Sequence, residues 1–283
     1  MKTIITLNFL ILSLLFIQCN NQKEQMPDED AYKIIFLHHS TGMNVWKGQT
    51  KGIEKIKNIF SDINAVPEWF IEYNKKNGTN YYIKEQAFPK GKPYGWKNYP
   101  YDYYNIWVKH AGNEPYKEEP TLEILTKEYD FIIFKHCFPV SKLTEDTGKP
   151  DINSEGKSIG NYKLQYEALK NKMLQFPKTK FLVWTGAALV ESKTNVEQAT
   201  RTKDFFDWVR NNWDTEGDNI FLWDFYELET EGGLFLKDEY ARNSNDSHPN
   251  AEFSGRVAPL FCQRIVDIIE TNGNNTSLTG IKK

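Results

Sequence analysis

The chain has 283 residues, 40% apolar and 26% charged, with a formal net charge of −3. This is ordinary globular composition, with material for one large domain once an export segment is set aside. The weak negative charge, and the lack of a basic stripe interleaved with aromatics, argue against a nucleic-acid partner.

Met1-Lys2 followed by the apolar run Ile4 to Ile17 reads as a secretory signal. At ~1.5 Å per residue the run is short for a ~30 Å hydrocarbon core. It stops at Cys19, where Asn20-Asn21-Gln22-Lys23-Glu24 turns polar. A cysteine at that junction resembles the lipid-attachment cysteine of bacterial lipoproteins, although Phe16-Ile17-Gln18 lacks the small residue preferred before it. The expectation is an exported protein held to the membrane through a lipid on Cys19, in the periplasm or on the cell surface; plain secretion and a retained, uncleaved membrane anchor are the alternatives. Residues 20–31 read as a tether. Cys137 and Cys262 are the other cysteines; in an oxidising compartment they either pair or stay as buried thiols.

Within 32–271 the first stretch is Ile34-Ile35-Phe36-Leu37, then His38-His39-Ser40-Thr41-Gly42. Four apolar residues in a row predict a strand buried on both faces, and the polar turn leads to Ile53, Ile56 and Phe60 at helical spacing. Ser40 falls just past the strand's carboxyl end, where ligands bind in open parallel sheets. From this stretch alone it is either a helix cap or a nucleophile. Residues 81–88 predict a second strand. An insertion near 89–115 follows, in which GKPYGWKNYPYDYYNIW (residues 91–107) has no regular period and reads as a loop. Residues 129–134 predict the third strand, 161–176 a helix ended by Pro177, 180–184 the fourth strand, 199–213 a helix and 219–223 the fifth strand. The last helix spans about 251–271, with Val257, Leu260, Ile265, Ile268 and Ile269 on its core side and Pro259 expected to kink or break it. The polar tail 272–283 is expected to fray.

Alternating strands and helices imply an α/β fold: a parallel five-stranded sheet in a three-layer sandwich, helices on both faces. All the strand ends then lie on one edge. Ser40 follows the first strand, His136-Cys137 the third, Thr185-Gly186 the fourth, and Asp246-Ser247-His248 comes beyond the fifth. A serine nucleophile needs a base in hydrogen-bond reach and a group that orients the base.

In order and placement these pieces resemble the SGNH hydrolases, the GDSL-type esterase and lipase superfamily, from about Lys33 to Glu270. The resemblance implies a flavodoxin-like domain, Ser40 as nucleophile, His248 as general base, and no cofactor. Three departures stand out. The usual GDS is replaced by His38-His39-Ser40-Thr41-Gly42. The acid's usual place, three residues before the histidine, holds Asn245, with Asp246 one residue later. The family's asparagine after the third strand is replaced by Lys135-His136-Cys137-Phe138-Pro139, and its second-block glycine has no clear match beyond Gly95 or Gly112. Asp246 is expected to orient His248, because two residues of separation in extended chain put both side chains on one side; the alternative is a Ser-His dyad, with Asp246 capping the last helix. His39, Gly42, His136, Gly186 and Asn245 are the candidates for the oxyanion pocket, with the Ser40 amide as one donor.

His38-x-Ser40-x-Gly42 also has the spacing of the G-x-S-x-G elbow. There, however, the serine lies deeper in the chain and the acid is remote from the histidine. His38, His39, His136, Asp246 and His248 offer nitrogen and oxygen donors, but adjacent histidines point apart in extended chain and no HxH or HExxH is present; no metal site is expected. Tyr94, Trp96, Tyr103 and Trp107 are either packed aromatics or a sugar-stacking rim. With export, the rim favours an O-acylated, most simply O-acetylated, carbohydrate over a lipid. The functional expectation is a carbohydrate-directed serine esterase. The alternatives are a non-catalytic glycan-binding lipoprotein on a degenerate fold of this type, or a metal-dependent hydrolase.

Overall fold

The computed structural model describes residues 28–48 and 64–276. The signal-like run, Cys19, the tether to residue 27, the Ile53-Ile56-Phe60 pattern and the tail beyond 276 lie outside the described residues. Among the described residues no helix is long and apolar enough to cross a membrane.

The five strands are β1 (Tyr32–His38), β2 (Tyr81–Ala87), β3 (Phe131–Lys135), β4 (Lys180–Trp184) and β5 (Ile220–Trp223). They form one all-parallel sheet in the order β2-β1-β3-β4-β5, the flavodoxin-like order. The sheet's apolar residues divide by parity. Ile35, Leu37, Ile132, Phe134, Phe181 and Val183 face one core, under α3 (Pro100–Tyr104), α5 (Ile159–Met173) and α6 (Val196–Trp208). Ile34, Phe36, Ile133, Leu182 and Trp184 face the other, under α1 (Ser40–Lys47), α2 (Ala65–Asn77) and α8 (Ala251–Thr271). Two shorter helices complete the set: α4 (Leu122–Glu128) before β3 and α7 (Phe225–Thr230) after β5. The residues between α7 and α8 form a separate antiparallel hairpin, β6 (Ala241–Asn243) and β7 (Asp246–Pro249).

Three sequence expectations need correction. The aromatic insertion is not a loop throughout. Pro100 starts α3, Asp102 accepts the Tyr99 amide at its N-terminus, and the chain continues as a π-helix over Asn105–Lys109. Pro259 does not break α8, which runs continuously from Ala251 to Thr271. Burial of Val257, Ala258, Phe261, Cys262, Ile265 and Ile268 holds both halves of that helix on the sheet. At about 1.5–3 kcal/mol per large apolar side chain, this outweighs the roughly 3 kcal/mol cost of an interior proline. Finally, the tail does not fray at Asn272. Thr276 is buried: its amide donates to Asp267 Oδ2 at 3.1 Å, and Arg264 Nη1 donates to its hydroxyl at 2.9 Å. The Arg264–Asp267 pair, 3.2 Å apart, is itself buried, and a buried ion pair needs such further partners.

Candidate active site

β1 ends at His38 and α1 begins at Ser40. His39 is the N-cap and makes no side-chain cap bond, so Ser40 is the first helical residue and not a cap. The turn is tight because Gly42 presses on His38. A Cβ at position 42 would lie 2.5 Å from His38 Cγ, so only glycine fits. His38 is buried, packs tilted against Phe36 with ring centroids 4.2 Å apart and sits 3.3 Å from Glu85 Oε2; burial, before any other influence, pushes its pKa below the ordinary value. His39 Nε2 donates to the Pro89 carbonyl at 2.7 Å, and burial lowers its pKa as well. The Gly42 amide already donates to the His39 carbonyl at 2.8 Å. The Ser40 and Thr41 amides, in the first turn, have no carbonyl one helical turn back.

The exposed Ser40 hydroxyl lies 3.3 Å from Cys137 Sγ, on the loop after β3. That loop is anchored by the Cys137 amide, which donates to the Asn98 carbonyl at 2.9 Å. The next residue, Phe138, packs edge-on against the His248 ring with centroids 5.0 Å apart. One two-residue step thus touches Ser40 on one side and His248 on the other.

The β6–β7 hairpin supplies His248 and Asp246. Along β7 the side chains alternate. The buried Ser247 hydroxyl accepts from the Val190 amide at 3.1 Å and fastens the hairpin to the loop after β4. Asp246 and His248 share the other side. His248 Nδ1 donates to Asp246 Oδ1 at 2.5 Å, and the His248 amide donates to the same oxygen at 3.0 Å. Arg242 Nη1 lies 3.6 Å from the second carboxylate oxygen. Burial works to raise the Asp246 pKa, but the two His248 hydrogen bonds and the neighbouring positive charges outweigh it and hold the carboxyl below its usual range. The hairpin packs on α1, and Arg242 Nη2 donates to Asn44 Oδ1 at 2.9 Å. Asn250, not Asp246, caps α8.

The structure therefore joins Asp246 to His248, and Ser40 to Cys137. Among the described residues the Ser40 hydroxyl bonds to Cys137 and not to His248. Asn245 sits exposed at the hairpin turn, where its amide donates to Asn243 Oδ1. His136, expected in the pocket, is buried at 0% exposure among Tyr103, Phe134 and Tyr166, with both ring nitrogens unpaired; burial holds its pKa well below the ordinary value. It lies on the face of the sheet opposite α1. Gly186 is buried against Glu229 and Tyr226 of α7. Tyr103 and Trp107, rim candidates, take the packed alternative and are fully buried core residues. Of the four aromatics, Tyr94 is half-buried and Trp96 is 62% exposed, edge-on to His39 at 5.0 Å. Cys137 and Cys262 are both free. Among the described residues no three His, Cys, Asp or Glu side chains come together as a metal site.

Sequence reasoning missed Cys137 and Phe138 as contacts of Ser40 and His248, and Arg242 as a partner of Asp246. The first two occupy the segment after β3 where an asparagine was sought and not found. Their position was legible; their contacts were not.

No family model and no curated protein matches the chain. Among solved structures it is similar to a putative acylhydrolase from Bacteroides fragilis, at 13% identity and a TM-score of 0.41 over 88% of this chain and 94% of that one. It is also similar to a GDSL-like lipase from Bacteroides thetaiotaomicron, at 12% identity and 0.42 over 85% and 91%. A third is a family two carbohydrate esterase from Cellvibrio japonicus, at 13% identity and 0.41 over 84% of this chain and 61% of that one. At these identities and TM-scores the function has to be argued from the residues themselves.

Proposed function

We propose that this protein is a serine esterase of SGNH type that removes acyl groups, acetyl above all, from an exported carbohydrate. The observation that carries the reading is the Asp246–His248 pair, on a hairpin packed against the helix that opens with Ser40. With Nδ1–H donated to Asp246, the neutral imidazole keeps Nε2 as a base. A rotation about the Ser40 Cα–Cβ bond frees the hydroxyl from Cys137. His248 Nε2 takes its proton as Oγ attacks the ester carbonyl, and Asp246 stabilises the imidazolium. The Ser40 and Thr41 amides receive the oxyanion at the start of α1, whose first turn carries no acidic residue. The imidazolium returns its proton to the leaving alkoxide. Water, deprotonated by the same histidine, then frees the acid from Ser40. The run ending at Cys19 supports tethering to a membrane by a lipid, which would set the enzyme among exported glycans.

The test is Ser40→Ala against a short-chain acetyl ester. Turnover should fall by about 10³-fold or more, as loss of a catalytic nucleophile does, with the thermal midpoint unchanged. Activity retained above about one per cent would overturn the serine mechanism. The Ser40–Cys137 contact favours a second reading, a non-catalytic glycan-binding protein; wild-type protein inert toward acetylated oligosaccharides that it binds would establish that instead.

A further inference from the structure

A cavity of about 400 Å³ opens in the aromatic insertion after β2. Tyr116 and His110 stack in its wall with ring centroids 3.7 Å apart and planes 9° apart, and Tyr94 stands edge-on to Tyr116 at 6.1 Å. Flat rings meeting at a steep angle form a corner that takes the apolar face of a pyranose ring. Polar groups are fixed beside it. Tyr94 Oη donates to Asp102 Oδ1 at 3.1 Å and accepts from Asn105 Nδ2 at 3.0 Å.

The charges in the cavity are unequal. Both Asp102 oxygens are already engaged, one by Tyr94 and the other by the Tyr99 amide, and the carboxylate is buried. Glu155 pairs with Lys97. Lys109 and Lys117 are exposed lining residues, and among the described residues neither has a carboxylate partner. The Lys117 ammonium lies 5.6 Å from the Tyr116 ring centroid and 5.9 Å from that of Tyr94, at the mouth of the aromatic corner. Three lysines against two carboxylates leave the lining net positive, with the surplus on the exposed Lys109 and Lys117 beside a stacking platform, which suits a sugar that carries its own negative charge.

The cavity is coupled to Ser40 by one short segment. Tyr94 and Gly95 line it, and Trp96, the next residue, packs on His39, the residue before Ser40. A glycan seated in the corner would pass over the exposed Trp96 on its way to Ser40.

We propose that this cavity is a binding subsite for an anionic pyranoside, carrying carboxylate or sulfate, within the glycan whose ester meets Ser40. Its orientation toward Ser40 rests on the esterase reading; the binding does not. The test is calorimetry on full-length Ser40→Ala protein, so that turnover plays no part. The probes are trigalacturonate, a sulfated galactotriose and neutral cellotriose. One of the two anionic trisaccharides should bind at least tenfold more tightly than cellotriose, which one identifying carboxylate or sulfate, and the preference should shrink as salt is raised. Adding Lys109→Gln and Lys117→Gln together should abolish the preference; both side chains are exposed, so the fold is not at risk. Equal binding of neutral and anionic probes, binding of none of them, or a preference that survives the double substitution would overturn the subsite. Neither outcome alters the hydrolysis of short acetyl esters by the wild-type enzyme, which decides the esterase reading separately.

Discussion

Asp246→Asn isolates the charge of the proposed orienting acid from its hydrogen bonds. Asp246 Oδ1 accepts both from the His248 ring and from the His248 amide. An asparagine can keep its oxygen there, so the ring stays anchored and Nε2 stays unprotonated. Two things change. The imidazolium formed during attack loses its counter-charge, and the new amide nitrogen takes the place of Oδ2, 3.6 Å from Arg242. Opposite charges about 4 Å apart interact by roughly 1 kcal/mol in water and roughly 4 kcal/mol at an effective dielectric constant of 20. The Asp246 and His248 side chains are 32% and 26% exposed, so a value near 2 kcal/mol follows between these limits. This corresponds to about 30-fold in kcat, with little change in KM. The assay is steady-state hydrolysis of a short-chain acetyl ester, run beside Asn245→Ala. If Asp246→Asn keeps near-full turnover while Asn245→Ala loses it, the argument fails and the orienting role belongs to position 245.

Gly42→Ala should destabilise the fold by about 1–3 kcal/mol in a denaturant melt, because the added Cβ meets the buried His38 ring at 2.5 Å; an unchanged or raised midpoint, as helix propensity alone would give, contradicts the crowding. Glu229 is buried, and burial above all raises its pKa from 4.5 to about 8. Its contribution is fully present below pH 4.5 and is lost as pH rises toward 8. Glu229→Gln keeps an acceptor for the Ala188 amide, so the variant's stability should decline less than wild type's between pH 5 and 8; parallel curves would rule this out. Cys19→Ser should move the protein from the membrane fraction to the soluble one, and unchanged partition would point instead to an uncleaved N-terminal anchor.

β1, β3, β4 and β5 were legible because each is a short apolar run that a doubly covered sheet requires, and β4 spans the predicted residues 180–184; β2, YYIKEQA at the sheet edge, carries no such run. The Asp246–His248 contact was legible for an equally local reason: residues two apart in extended chain share a side, and β7 is extended. Which aromatics are core and which are surface was not. Tyr103, Trp107 and Trp96 stand in one stretch without period, and only the packing of α3 and the π-helix against β3 and α5 buries the first two. His136 looked like a pocket residue because it follows a strand, yet strand parity turned it to the face away from α1. Cys137 lies 97 positions from Ser40 in the chain, and no local rule relates them. The parallel crossover that puts β1 beside β3 brings their carboxyl ends to one edge, and that alone makes the thiol a neighbour of the hydroxyl.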